Sequence, residues 1–376
     1  MAVLLILSVS LTACAPAATP TIVPTATSQP PAKAVTPTVA APAAATPTAA
    51  APKPTVAPPT ATPKPATLRF GHDRTTSRAG VYIAIEKGFF KEQGIDIDIN
   101  EFRTSTDAVA PLTGGQLDFA GMPLGVAFLN ATDRGIPLKI VAGQGQDQPN
   151  WAPAWILLRK DLSDSGQVKS WKDLKGQKVG VPSRGSVLEM IIDKALQDEG
   201  MTVDDIDLVV LTMPDILVAL ANKSIAAGAT SEPSTTSAVQ QGFAVRWTPD
   251  YQHFGGKLQS GFVAFGPELA KNKELGQRWA IAYLKGARAY LDAFEKKTDR
   301  DEIIKILGKY TSLQDPKMFD VIGLPYLDPN GQMDLRSVGL QYAWYAQRGL
   351  YTGKTTFESL MDLSLVDYAA QQLGKR

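Results

Sequence analysis

The chain has 376 residues, 44% of them hydrophobic, with 38 basic and 37 acidic side chains, and a single cysteine. A formal charge of +1 gives no electrostatic case for nucleic acid as a partner. With one cysteine there is no disulfide framework, so stability must come from burial.

The N-terminal run MAVLLILSVSLTAC opens on an apolar stretch too short to span a bilayer, which fits a signal-peptide core over residues 1–13. Leu11-Thr12-Ala13-Cys14 resembles a bacterial lipobox. That resemblance implies cleavage before Cys14, its acylation, palmitate included, and a lipid anchor on the extracytoplasmic face of the cell membrane. The competing explanation is an ordinary buried cysteine. Ala15–Ala66 holds 14 of the 27 prolines with no acid and no aromatic, so it cannot bury enough surface to offset its ordering entropy. Residues 14–66 therefore read as a lipidated cysteine followed by a disordered, polyproline-leaning tether, with a reach on the order of 160 Å if fully extended.

The remainder must carry the function. Lys33, Lys53 and Lys64 are the tether's charges, which leaves 35 basic against 37 acidic residues and a net of −2. About 310 residues exceed the usual size of one core, so two lobes are expected. Leu68 and Phe70 alternate as a short strand, and Asp73–Arg78 is a polar loop. From about Arg78, Val81, Ile85 and Phe89 recur at the spacing of one buried helix face. Gly94 stands where that helix stops, and Ile95–Ile99 alternates as a strand. Two strands joined by a helix form a right-handed crossover in a mainly parallel sheet, whose ligands bind beyond the strands' carboxyl ends.

Farther along, Asp107–Thr113 reads as a short helix and Gln116–Gly121 as a strand. A helix is expected from Met122-Pro123-Leu124 to about Ala131, then a strand over Pro137–Ala142. The polar stretch Gly143–Trp155 leads into a strand at Ile156–Arg159. Ser186 and Glu189 make an S-x-x-E capping box for a helix to about Asp198. Leu208–Leu211, Ala227–Thr230 and Ala244–Trp247 read as strands, with helices at Asp215–Asn222 and Ser234–Gln241. Gly261–Phe265 reads as the return crossover, and Glu268–Phe294 as the longest helix.

The stretch AGVYIAIEKGFFKEQGIDI at residues 79–97 resembles the opening block of the NMT1/THI5-like and sulfonate/nitrate/taurine-type solute-binding proteins, and WKDLKGQKVGV at 171–181 resembles a second block of that family. The resemblance covers Thr67 to the C-terminus. It implies a two-lobed α/β periplasmic-binding-protein type II fold, each lobe a mainly parallel sheet flanked by helices, with the ligand cleft between lobes. Residues 67–158 with 262–376 are expected to form one lobe and 159–261 the other. It also implies an extracytoplasmic receptor that passes its solute to the permease and ATPase subunits of an ABC importer.

No catalytic residue is expected. The chain has two isolated histidines, His72 and His253, and no G-x-S-x-G, H-E-x-x-H or P-loop pattern, so neither a metal nor a cofactor is expected. For binding, the loops that follow strands and precede helices are the candidates, because helix N-terminal amides suit polar or anionic groups. These supply Asp73, Arg74, Thr75, Thr76 and Arg78, then Met122, then Ser183, Arg184, Gly185 and Ser186. Each arginine is as readily a solvated surface charge, and Ser186 as readily a plain cap. Tyr82, Trp151, Trp155 and Tyr251 are candidates to stack on a flat ligand, with hinge or core packing as the alternative for Trp155 and Trp247. Trp171 and Trp279 read as packing. Gln146 offers an amide, Glu232 offers a carboxylate to a ligand N–H donor unless it faces its own helix N-terminus, and Asp250 joins Asp73 and Glu232 as mixed charge. Ser231-Glu232-Pro233 departs from the family's aromatic-acid-proline triplet at its first position. Aromatics, amides and mixed charges together favour a flat, largely neutral heterocycle. Riboflavin ranks first, a thiamin-precursor pyrimidine second, and a sulfonate or aromatic acid third. A surface sensor or adhesive module is the alternative class.

Overall fold

The computed structural model describes residues 64–376. The expected signal peptide, Cys14 and the tether up to residue 63 lie outside the described residues. β1 (Ala66–His72) and β2 (Ile95–Glu101) pair in parallel, with Ala66 opposite Ile95 and His72 opposite Glu101. The helix Ala79–Glu86 crosses between them. It is shorter than its apolar periodicity suggests, because Gly88 enters the left-handed region at φ 75° and starts a separate turn, Phe89–Glu92. Ten further strands follow. They are β3 (Phe119–Met122), β4 (Lys139–Gly143), β5 (Gln146–Asp147), β6 (Ala154–Arg159) and β7 (Lys178–Val181). The rest are β8 (Asp207–Val210), β9 (Ala227–Ser231), β10 (Ala244–Pro249), β11 (Leu258–Gln259) and β12 (Phe262–Phe265).

They form two five-stranded sheets, in the orders β2-β1-β3-β12-β4 and β10-β6-β9-β7-β8, with a two-stranded ribbon of β5 and β11. The sheets are mixed rather than uniformly parallel, and the reversed strand has the same origin in both. β12 runs against β3 and β4, and β6 runs against β9 and β10. Each is the strand by which the chain enters that sheet from the other lobe. The expected boundary at 158/159 therefore shifts: β6 is hydrogen-bonded throughout to the second sheet, so the first crossing ends before Ala154. The ribbon joins the two crossing segments to each other, with Leu258 opposite Asp147 and Gln259 opposite Gln146.

Other boundaries move for local reasons. Met122 closes β3, and the following helix begins only at Val126 after an extended Gly125. The long helical run is broken at Asn272, whose side chain accepts from Leu275 N at 3.1 Å and caps the helix Lys273–Glu295. That helix supplies the core of the first lobe. Trp279 lies 5.0 Å from Phe265 and from Tyr283 and 5.4 Å from Phe119. Its Gly286 allows close approach, since a Cβ there would sit 2.0 Å from the carbonyl oxygen of Gly80. The helix Leu335–Gln347 touches both lobes. Trp344 Nε1 donates to Asp193 at 2.6 Å in the second, Tyr345 OH to the Leu124 carbonyl at 3.0 Å in the first, and Gln341 to the Gln259 carbonyl of the ribbon at 2.8 Å. Among the described residues no helix is long and apolar enough to cross a membrane.

Candidate functional site

A hollow of about 200 Å³ opens where the two lobes meet the ribbon. The loop after β1 brings Arg74, Thr75, Thr76 and Ser77, and the end of β9 brings Ser231, Glu232 and Pro233. Thr311 and Ser312 close it from the C-terminal part of the first lobe, while Asp147 and Ser260 form its ribbon side. Three larger depressions, of about 500, 510 and 390 Å³, lie on the first lobe around Arg300. The smaller hollow is the candidate site because it lies beyond the carboxyl ends of parallel strands from both sheets, where such folds bind ligands.

Its charges are largely internal. Arg74 Nη1 lies 3.3 Å from Glu101, and its Nη2 donates to the Thr311 carbonyl at 2.9 Å. Glu232 accepts from Thr236 N at 3.0 Å, Thr236 Oγ1 at 2.9 Å and Arg246 Nη2 at 3.0 Å. It therefore faces the N-terminus of its own helix, Ser234–Gln240, and the reading of a carboxylate free for a ligand N–H falls. A fourth bond comes from Gly323 N at 3.2 Å, across the junction in the first lobe. Asp147 is different. Burial pushes its carboxyl up to about 6, and Ser260 Oγ donates to it at 3.0 Å. Asp250 stands against it, raised well above the usual aspartate range by burial and then by the Asp147 charge.

Of the residues singled out in the sequence, Arg74, Thr75, Thr76 and Glu232 line the hollow. The others do not. Asp73 and Arg78 pair with each other at 3.2 Å, and Arg78 is buried against Gln144 at 3.0 Å. Tyr82 is fully buried, with its hydroxyl 2.8 Å from His72 Nδ1 and its ring stacked on Tyr310 at 4.9 Å, so it offers a ligand no face. Burial also lowers the His72 pKa. Met122 is core. The Gln146 amide is turned to Gln148 at 2.7 Å. Trp151 packs on Tyr290 and Tyr326 and lines the 510 Å³ depression instead. Trp155 donates to the Ala152 carbonyl at 3.0 Å and packs on the second sheet. Tyr251 packs against the core, and Asp250 lies behind Asp147.

Ser183, Arg184, Gly185 and Ser186 are used locally. Ser186 caps its helix by accepting from Glu189 N at 3.2 Å, while Glu189 receives Gly185 N and Arg184 rather than the Ser186 amide. Asp147, Ser260, Thr311 and Ser312 were missed, while Ser231, marked as the departure from the family's aromatic, does line the hollow. Asp147 sits inside the polar crossing segment and was findable there. Thr311 arrives from 237 residues beyond Arg74 with Ser312 next to it, and nothing local marks them. Among the described residues no group of three or more His, Cys, Asp or Glu side chains is placed to hold a metal.

Residues 75–292 match the family described as NMT1/THI5 like. A binding protein of Brucella abortus is 32% identical over 143 residues, 38% of this chain and 40% of that protein. A 4-amino-5-hydroxymethyl-2-methylpyrimidine phosphate synthase of Aspergillus parasiticus is 30% identical over 131 residues, 35% of each. The chain thus spans well under half the length of these curated relatives. The periplasmic aliphatic sulphonate binding protein of Escherichia coli superposes with a TM-score of 0.64 at 18% identity, covering 81% of this chain and 100% of that one. The periplasmic nitrate-binding protein of Synechocystis does so with a TM-score of 0.61 at 16% identity, covering 84% and 90%. At such identities the likeness is one of fold, and it is the periplasmic-binding-protein fold expected from the sequence. With more than half of its length matched, the chain belongs to the NMT1/THI5-like family.

Proposed function

We propose that the chain is the solute-binding component of an ABC importer, held by lipid on Cys14 at the extracytoplasmic face of the cell membrane and serving a permease and ATPase. The observation that carries this is the hollow at the junction of two sheets joined by the β5–β11 ribbon. A site built from both lobes lets a solute favour the closed arrangement by its differential affinity. Family membership and the binding-protein neighbours support the same reading, and binding rather than catalysis is the activity it implies.

The lining favours a small polar solute. Hydroxyls from Thr75, Thr76, Ser77, Ser231, Ser260, Thr311 and Ser312 outnumber every other group, and no aromatic ring takes part. Riboflavin, first choice on sequence, would want stacking faces that Tyr82, Trp151 and Trp155 do not present here. A pyrimidine of the thiamin-precursor kind is the second reading, favoured by the Aspergillus relative and by its smaller size. Native purification, followed by an absorbance scan and mass spectrometry of the released solute, tests these readings. A small polar solute released without visible absorbance is expected. A bound flavin would overturn the preference for a small solute, and a membrane fraction whose chain retains Met1–Ala13 would overturn the anchor.

A further inference from the structure

Three guanidinium groups stand at or behind the hollow, and each is matched to a carboxylate: Arg74 to Glu101 at 3.3 Å, Arg78 to Asp73 at 3.2 Å and Arg246 to Glu232 at 3.0 Å. Asp147 has no such partner. It is 1% exposed, lines the hollow and accepts a hydrogen bond from Ser260. Asp250, 2% exposed, stands against it, close enough for the two carboxyls to hydrogen-bond through a shared proton. Among the described residues neither carboxyl forms an ion pair with a basic side chain; their leading polar neighbours are each other, Ser260 and backbone amides.

Two carboxyls pressed together away from water cannot both ionise at low cost, so the pair keeps a shared proton. A buried negative pair without a counter-ion is expensive, and evolution can leave it so where a ligand supplies the missing charge. One fact beyond the pair itself points to a ligand: the hollow opens directly on Asp147, a buried carboxyl with no cationic partner among the described residues. Resting on the receptor reading above, we infer that the hollow takes a solute bearing a protonated nitrogen, an ammonium or guanidinium group, which Asp147 receives with Asp250 behind it. The shared proton stays on the pair, so that its single negative charge meets the single positive charge of the solute. The hydroxyls of Thr75, Thr76 and Ser231 then serve the uncharged part of the solute. A sulfonate or nitrate would meet no free guanidinium here and would face Asp147 instead.

Three probes of one skeleton separate these cases: 2-aminoethanol, ethylene glycol and 2-hydroxyethanesulfonate, which are cation, neutral and anion. Calorimetry and thermal unfolding of the full chain, at neutral pH and matched ionic strength, read their binding. The expected result is 2-aminoethanol bound about tenfold or more tightly than either other probe, with that preference lost in Asp147→Asn. Asp250→Asn, whose side chain does not line the hollow, should weaken the preference too, and it serves if Asp147→Asn fails to fold. Preference for 2-hydroxyethanesulfonate, or three probes acting alike, overturns the inference. The receptor reading falls on different results, a chain purified without any solute and showing no change of shape with one, so the two failures are told apart.

Discussion

Glu232 holds four hydrogen bonds with one carboxylate, and its side chain is 5% exposed. Glu232→Ala would leave Arg246, itself only 29% exposed, without its partner, and would free two amides and a hydroxyl at once. The expected loss is about 3 kcal/mol of unfolding free energy in urea. Glu232→Gln should lose less, because it keeps two acceptor lone pairs. A second residue-scale expectation concerns pH. Asp147 and Asp250 both bind their protons more tightly in the folded chain, chiefly through burial, and Asp147 is pushed from 3.8 up to about 6. Ser260, Tyr251 and Tyr290 face the pair, and none brings a positive charge. The folded chain therefore holds extra protons, and the stability this gives is fully present below the ordinary aspartate range and lost as pH rises through about 6. Unfolding curves of the wild type against Asp147→Asn/Asp250→Asn should diverge over that window, with the wild type losing more as pH rises. Tyr82 shows why single residues were the hardest to read. Its place in the helix was evident, but its burial depends on Tyr310, which lies 228 positions away and carries no local signal.

At the scale of elements the sequence was more informative, because periodicity and caps are local. The crossover β1–helix–β2, the left-handed glycine at Gly94 and the Ser186 cap were all readable, and all are present. Misreadings fell where one residue decides between continuing and stopping: Asn272 as a cap inside a helical run, and Gly125 as an extended entry after Pro123. Packing between elements left a weaker trace. Gly286 sits in a strongly helical segment where alanine has the better propensity, yet a Cβ there would meet Gly80 backbone at 2.0 Å. Backbone cannot rotate away as a side chain can. Gly286→Ala should therefore cost about 1–3 kcal/mol and lower the melting temperature by several degrees. A melting temperature unchanged or raised would mean that the two helices separate freely.

For the whole molecule, two crossing segments and one helix connect the lobes. The ribbon permits bending, whereas the helix Leu335–Gln347 is tied to the second lobe through Trp344 and Asp193 and to the first through Tyr345 and Leu124. Small-angle scattering with and without the co-purified solute should show a modest compaction, and Trp344→Ala should enlarge the difference by loosening the solute-free form. Identical profiles at saturation would favour a rigid sensor or adhesive module. The two-lobed architecture was legible because both family blocks and the crossover pattern lie in continuous sequence. The composition of the hollow was not, since its walls come from six separate stretches of chain.

The reversed strand in each sheet also sets an order of assembly. All five strands of the second sheet lie within Ala154–Pro249, whereas the first sheet lacks its inner strand β12 until Phe262–Phe265 has been made. During synthesis or export the later-encoded lobe can therefore finish first. Meanwhile β3 and β4 wait with exposed edges on either side of a gap, a state open to wrong pairing. A chain ending at Pro249 should contain one finished lobe and one sticky half, and the fragment 154–249 alone should be the more soluble of the two.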